Sequence, residues 1–401
     1  VGGYAAVFLP IWEKLEDEGL ARLSAAAVRN PAKYPNEMAR IQRRNVRVFK
    51  GLDEMLAAGR AVIDCVCVPT AIHDHRPMVE AALAAGFDVM VEKPVAAAVQ
   101  DVQAMIAARD RAGRKTAVGF QSQSGFMMRE SKRRIIAGQI GRIRRMTATC
   151  LIRRDEAYFS RNAWAGKIKV DGRWGLDGPV MNALAHQLMN MLWLGGTELD
   201  ACAAPATVQA ECLHANPIEA DDLSVVRAEL TQAGGNNGAQ ILFVGTYCWD
   251  GTPGVELNVH GEKGAIRSDA FTWAELTPKG ANAPAETWKG DREQPREDMW
   301  RNVVGAFGGD STGLHVPLET ALQHTLAANC AYLSSGGFHA VPSAWVEQKT
   351  DEKGVCFRTI KGFSADLSHI VAEGKLPGEL GLPWGRPSRK ITAAELREFN
   401  L

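Results

Sequence analysis

No run of apolar residues in this chain reaches the length of a membrane span. Charge of neither sign dominates: 46 Lys and Arg are balanced by 46 Asp and Glu among 401 residues. No net field therefore draws the chain to nucleic acid or to an anionic bilayer. The eight cysteines form no CxxC pair and no Cys/His cluster at zinc spacing, so no metal site is expected. Cys65 and Cys67 stand two apart in an apolar run, share a face, and read as small core residues. Such usage suits a reduced, cytoplasmic setting, although a cleaved export signal would leave no trace. There is no internal repeat or low-complexity tract. What is left is a chain too long for one ordinary core, and two domains are the natural expectation.

The densest information lies in residues 61–94. Residues 61–68 are rich in Val and Ile, the pattern of a parallel strand covered on both faces. Pro69 and Thr70 end it. Residues 75–85 carry Met78, Val79, Ala82 and Leu83 at helical spacing, and Gly86 follows where a helix terminus takes a left-handed residue. Residues 87–91 are the next strand, and Glu92-Lys93-Pro94 falls at its carboxyl end, the edge where open α/β sheets bind ligands.

Upstream, Gly2, Gly3, Tyr4 and Ala5 lead into an amphipathic helix over 7–17. A small-residue turn entering a helix lets the backbone approach a pyrophosphate, which the helix N–H groups face. The full G-x-G-x-x-G/A pattern needs a glycine just before Val1 and a strand before that, so the first strand is expected to be missing ahead of Val1. Residues 23–28 read as the second strand and end at Arg29. An acid usually holds the ribose hydroxyls there; a guanidinium suits a 2′-phosphate, which favours NADP over NAD. The alternative is that Arg29 faces solvent and the choice is made elsewhere. Helices over 38–44, 52–58 and 99–112, with strands over 46–49 and 116–120, continue the alternation of a parallel sheet.

Residues 123–138 read as a helix with Arg129, Lys132, Arg133 and Arg134 on a solvated basic face. Residues 153–174 lack helical periodicity and are dense in groups that grip a polyhydroxylated or acidic ligand; Tyr158, Arg161, Asn162, Trp164 and Lys167 are the substrate candidates. The same residues would also serve as a surface loop anchored by its Trp. A helix over 180–194, stopped by Gly195 and Gly196, places Asn182 and His186 four apart on one face, with Asp177 in the preceding turn. Strands over 225–230, 241–247, 254–260 and 264–268, with a Gly/Asn turn at 234–238, predict a largely antiparallel sheet. Helices follow over 300–307 and 318–334. The tail from about 335 ends in a short helix over 393–399 behind Thr392 and carries no assigned chemistry.

The combination of His75, Ala82-Leu83, Gly86 and Glu92-Lys93-Pro94 resembles the signature of the Gfo/Idh/MocA oxidoreductases, glucose–fructose oxidoreductase, inositol dehydrogenase and their relatives. Val118-Gly119-Phe120-Gln121 resembles that family's crossover between domains, Ile140-Gly141-Arg142-Ile143 its entry into the large sheet, and 260–266 its structural hairpin. The resemblance covers about residues 2–335. It implies an α/β fold: a Rossmann dinucleotide-binding domain over 1–122, then an α+β domain over 123–345 with a large, mostly antiparallel open sheet, and a tail over 346–401. It implies NAD or NADP held by Gly2, Gly3, Tyr4, Ala5, Arg29, Pro69, Thr70, His75, Glu92, Lys93 and Gln121, and a homo-oligomer formed through the sheet.

Lys93 and His186 are then the catalytic pair, and Tyr158, Arg161, Asn162, Trp164, Lys167, Asp177 and Asn182 contact a sugar, cyclitol or related polyol. His186 takes the hydroxyl proton as hydride leaves carbon, while Lys93 holds the oxygen. The family has an acid four residues before the histidine; here it is Asn182, which can orient the ring but supplies no charge, leaving Asp177 as a source of carboxylate. Two alternatives stay open. One is an NAD-dependent glycoside hydrolase or lyase that oxidises its substrate transiently and turns over without net reduction. The other is a non-catalytic dinucleotide-binding regulator.

Overall fold

Short strands of three or four residues, separated by helices, build the first domain of the computed structural model, which describes residues 2–231, 238–280 and 284–401. Strands Cys65–Val68, Asp88–Val91 and Thr116–Val118 pair in that order and in parallel. Strands Ala25–Ala27 and Arg47–Phe49 form a separate parallel pair. Val66, Val68, Val89 and Val91 are buried against Val79, Ala82 and Leu83 of helix Ile72–Ala84 and Val102 and Met105 of helix Val99–Ala112. Burying five to ten such side chains, at about 1.5–3 kcal/mol each, sets the register of the strand ends that carry the chemistry. Cys65 is exposed, contrary to the sequence reading, whereas Cys67 is half-buried and packs against a second apolar cluster that holds Phe8, Met90 and Trp300. Strand alternation gives the core face to Val66 and Val68, so both thiols lie on the less covered side.

The second domain is a ten-stranded sheet. At its centre Ile143–Leu151 runs parallel to Gln240–Thr246 and antiparallel to Gly254–Gly261. Leu223–Leu230 and Pro205–His214 extend it antiparallel on one side, and Gly264–Ser268, Trp273–Pro278 and Glu286–Lys289 on the other. The Gly/Asn turn expected at 234–238 lies outside the described residues apart from Gly238. One face of the sheet is covered by helices Ala185–Leu194 and Leu318–Ser335, through Leu188, Leu192, Trp193, Ala327 and Tyr332. The tail covers part of the other face. Its hairpin Val346–Thr350/Cys356–Ile360 and helix Phe363–Glu373 place Phe363, Leu367, Ile370 and Trp384 against Leu213, Val225, Leu242 and Val244. The helix expected over 393–399 is only a 3-10 turn, Ala393–Glu395, after a short strand, Ile391–Thr392, laid on the sheet edge.

The expected basic face of the helix now seen as Phe126–Ile136 is not all solvated. The helix packs on Ala185–Leu194, and Lys132 is fully buried, its Nζ 4.1 Å from the centre of the Trp193 ring and donating to the Ala201 carbonyl. The stem contributes packing and the ring face partly solvates the charge. Helix Leu318–Ser335 latches the domains together. Asn329 Nδ2 donates to the Ala97 carbonyl at 2.8 Å while its Oδ1 accepts from Val99 N at 2.9 Å, and Thr325 Oγ1 donates to the Ala96 carbonyl at 3.2 Å. These bonds grip the segment that follows Glu92-Lys93-Pro94, so the loop is positioned from both domains.

Candidate active site

The buried strand Asp88–Val91 delivers Glu92 and Lys93 to the sheet's carboxyl edge. Glu92 is 4% exposed; its Oε2 accepts from Lys93 N at 3.0 Å, and its Oε1 has no partner among the described residues. Burial pushes its carboxyl up to about 7, with the Lys93 charge opposing. A Cβ on Gly119 would stand 2.6 Å from Glu92 Oε1, so only glycine after strand Thr116–Val118 leaves room for this carboxylate.

His75 sits below the loop, fully buried. Its Nδ1 faces the carbonyls of Pro94 at 3.0 Å and Val95 at 3.2 Å, and its Nε2 faces the Thr70 carbonyl at 3.1 Å. A neutral imidazole donates from one nitrogen only, and burial holds its proton affinity down. The structure thus makes His75 a brace between the turn at Pro69-Thr70 and the Glu92-Lys93-Pro94 loop.

Lys93 crosses to the second domain. Its Nζ donates to the Asn182 carbonyl at 3.1 Å and reaches Asn182 Oδ1 at 3.5 Å. Asn182 Nδ2 in turn donates to Asp177 Oδ1, and Asp177 Oδ2 accepts from Gly166 N at 2.8 Å. Burial lowers the proton affinity of Lys93; Glu92 and Asp177 oppose this. The helix expected over 180–194 begins only at Ala185. Asn182 therefore lies in the irregular turns before it rather than on one helical face with His186. The sequence before it, Gly178-Pro179, explains the late start: proline has no N–H to donate, and Gly178 is pressed against Asp221.

His186 occupies the first turn of that helix, partly exposed, with its Nδ1 buried and unpartnered among the described residues. Burial first, then the charge of Lys93, hold its imidazole well below the usual range, so the ring is neutral at pH 7. Phe120, in the crossover between domains, meets it edge-on at 5.6 Å, and His324 stands 5.3 Å from the same phenyl ring. His324 Nε2 faces the Val180 carbonyl at 3.0 Å. Gln121, buried in the following 3-10 turn, is the next residue along.

The amino-terminal turn faces the same edge. Gly2 is extended and a Cβ there would overlap the Tyr34 ring at 2.1 Å; Gly3 has a φ of +61°, and Ala5 is buried. Two small residues, a left-handed turn and the start of a helix give a backbone cradle of the kind that fits a pyrophosphate. Tyr4 is pushed up to about 12 by burial and by Glu92, with Arg296 opposing. Arg29 is exposed at the end of strand Ala25–Ala27. Arg296, on helix Gln294–Phe307, was not found from sequence; its charge acts on Tyr4, Glu92 and His186 together. No local motif marks it, since it arrives from a helix far along the chain.

The expected substrate residues divide. Tyr158 and Arg161 stay close to the site: Asp177 acts on both Tyr158 and Lys93, and the Arg161 guanidinium lies 3.5 Å from the centre of the Tyr158 ring. Trp164 stands 5.1 Å from the same guanidinium. Asn162 instead caps its own turn, its Oδ1 accepting from Trp164 N and Ala165 N, and Lys167 pairs with Glu219 at 2.6 Å. Arg154 and Tyr247, beside Tyr158, were also missed. Among the described residues no cluster of His, Cys, Asp and Glu could hold a metal ion, and no helix is long and apolar enough to cross a membrane.

Residues 1–120 match the family model described as an oxidoreductase family with an NAD-binding Rossmann fold, and residues 128–267 match the GFO/IDH/MocA C-terminal domain. No curated protein sequence matches. Similar solved structures include the WlbA dehydrogenase of Bordetella pertussis in complex with NADH and UDP-GlcNAcA, at 22% identity and a TM-score of 0.69, covering 84% of this chain and 93% of that one. An oxidoreductase from Agrobacterium radiobacter, in complex with NAD+, L-tartaric acid and magnesium, shares 17% identity at a TM-score of 0.65, covering 83% and 93%. The aldose-aldose oxidoreductase of Caulobacter crescentus, complexed with glycerol, shares 21% at 0.66, covering 83% and 95%. At these identities the structures establish the shared fold, while the two family models together span more than half of the chain. The chain belongs to the Gfo/Idh/MocA family, and it is a nicotinamide-dinucleotide-dependent oxidoreductase.

Proposed function

We propose that this enzyme transfers hydride between a nicotinamide dinucleotide and a hydroxyl-bearing carbon of a sugar or related polyol, with Lys93 and His186 as the catalytic pair. The observation that carries this reading is the Lys93 Nζ reaching Asn182 across the domain interface, four residues before His186. The bound dinucleotide supplies the hydride acceptor. Gly2, Gly3, Tyr4 and Ala5 would hold its pyrophosphate, with Pro69, Thr70, Glu92 and Gln121 at the strand ends around it.

In the oxidation direction His186, neutral at pH 7, takes the hydroxyl proton on the ring nitrogen opposite its buried Nδ1. Lys93 donates a hydrogen bond to the same oxygen and stabilises the negative charge that grows there. Asn182 holds the ammonium in place with two oxygens and is itself fixed by Asp177. Ketone reduction uses the same groups in reverse. The ligands of the WlbA and Agrobacterium neighbours, a sugar acid and a hydroxy acid, support a polyhydroxylated substrate.

Arg29 favours NADP, since an exposed guanidinium at that strand end suits a 2′-phosphate. Eight free cysteines suit a cytoplasmic enzyme. A homo-oligomer formed through the sheet would use the strands Gly254–Gly261 and Gly264–Ser268, since the tail packs on Leu242 and Val244. The test is titration of the purified chain with NAD and NADP, then of Arg29→Ala. A tighter NADP complex that loses its advantage in the variant supports the preference. Equal affinity for both removes it, and binding of neither removes the reading itself.

A further inference from the structure

The loop over 153–173 carries six cations, and most have been dealt with inside the molecule. Arg153 pairs with Asp351 at 3.2 Å, Lys167 with Glu219 at 2.6 Å and Arg173 with Asp74 at 3.2 Å. Lys169 lies 3.8 Å from the centre of the Trp174 ring on its own hairpin. Arg154 and Arg161 differ. Neither has a carboxylate partner among the described residues, and both rest on a single aromatic ring, that of Tyr158, at 4.1 and 3.5 Å. Arg161 also donates to the Tyr158 carbonyl, and Arg154 Nε is buried with no hydrogen-bond partner among the described residues.

Two guanidiniums held against one ring repel each other, and a buried N–H left unpaired costs about 1–3 kcal/mol. Arrangements of that kind persist where a ligand completes them, and a planar carboxylate matches the guanidinium fork with two parallel bonds. The same loop also meets the groups around Lys93, because its Gly166 N donates to Asp177 at 2.8 Å, and Asp177 holds Asn182, the partner of Lys93. Asp177 does not serve as the missing counterion: its oxygens accept from Asn182 Nδ2 and Gly166 N.

We propose that Arg154 and Arg161 select a carboxylate-bearing substrate, so that the hydroxyl presented to Lys93 and His186 belongs to a sugar acid rather than to a neutral polyol. This rests on the proposed hydride-transfer reading and adds to it the acidic group. Arg154 and Arg161 are specificity residues here; they take no part in the proton or hydride movement.

The experiment uses the full chain saturated with NADH and measures calorimetrically the binding of D-glucuronate against D-glucose and of D-galacturonate against D-galactose. At least one acid is expected to bind about tenfold or more tightly than its neutral partner, the range of a charge-assisted bond, and to lose affinity as salt rises. Arg154→Gln and Arg161→Gln are expected to bring that ratio to within about twofold, with NADH affinity unchanged. Arg154→Lys, which keeps the charge but not the fork, is expected to lose part of it. The proposal is overturned if the wild-type chain shows no acid preference, including the case in which none of the four sugars binds, or if the preference survives in both glutamine variants. The wild-type comparison needs no variant to fold. Failure to bind NADH at all counts against the hydride-transfer reading; NADH binding without acid preference counts against this proposal alone.

Discussion

Replacing Lys93 with Met separates a functional lysine from a structural one, because the proposed role predicts a large loss of rate with little change in stability. The side chain is held in a desolvated position that already lowers its proton affinity. Removing the charge forfeits a charge-assisted hydrogen bond to Asn182, worth about 1.5–3 kcal/mol. It also removes the cost of keeping an ammonium out of water, several kcal/mol after relaxation. The two nearly cancel, so Lys93→Met should leave Tm within about 3 °C of the wild type, or raise it. Activity behaves differently. Loss of one donor to a developing oxyanion costs roughly 10²–10³ in kcat. A second signature follows from His186, whose proton affinity Lys93 depresses: without that charge the imidazole titrates at higher pH. The acid limb of the oxidation profile, below which the ring is protonated and cannot accept the hydroxyl proton, then moves upward. The assay is reduced-nicotinamide absorbance across a pH series together with a thermal melt. A variant that retains kcat within about threefold of the wild type, or one that loses several degrees of Tm while its acid limb stays in place, refutes the assigned role.

Other perturbations test the scaffold around that pair. Glu92 has its folded proton affinity raised to about 7, so it disfavours folding above the usual carboxyl value and is neutral below it. Glu92→Gln should therefore raise stability by up to about 3 kcal/mol at about pH 8 and by nothing at about pH 4, read from paired denaturant melts; an equal gain at both refutes the buried charge. Gly178→Ala would put a Cβ 1.8 Å from Asp221 Oδ1 and should cost about 1–3 kcal/mol in the same melts; an unchanged midpoint refutes the close approach. Asn182→Asp places a second carboxylate within 3.5 Å of Lys93, an attraction of about 5 kcal/mol at an effective dielectric of 20 that repulsion from Asp177 offsets. The pair should then share a proton and add an ionisation to the pH–rate profile, and a profile identical to wild type would show that the two side chains do not meet.

The parts legible in the sequence were those fixed by local pattern. The strand–helix–strand run ending at Glu92-Lys93-Pro94 declares itself because Val66, Val68, Val89 and Val91 must be buried on a parallel sheet, whereas the need for glycine at 119, the space Glu92 takes, appears only in the structure. Long-range partners were not legible. The charge of Arg296 acts on Tyr4 and Glu92 from a helix more than 200 residues from either in the chain, and no periodicity encodes that. Lys132 looked solvated because its helix is basic, but burial was decided by Trp193 on a neighbouring helix. The tail was partly legible and its signal was passed over: Phe363, Leu367 and Ile370 stand at i, i+4 and i+7 in a stretch free of Pro and Gly, while the sheet face they cover together with Trp384 appears only in the assembled fold.

Asn182 shows why a departure from a family pattern is better explained by its neighbours than by its own chemistry. Its amide is read from both ends: Oδ1 lies toward the Lys93 ammonium and Nδ2 donates to the Asp177 carboxylate. An amide offers an acceptor and a donor in those two directions while carrying no charge and needing no proton. An aspartate at 182 would face Asp177 with a like charge in a buried setting, where one of the two would take up a proton. With Asp177 already present, the asparagine relays its carboxylate to Lys93 without adding a second charge. A carboxylate near Lys93 is thus supplied five residues upstream of Asn182, and the backbone of the preceding loop, through Gly166 N, holds it in place.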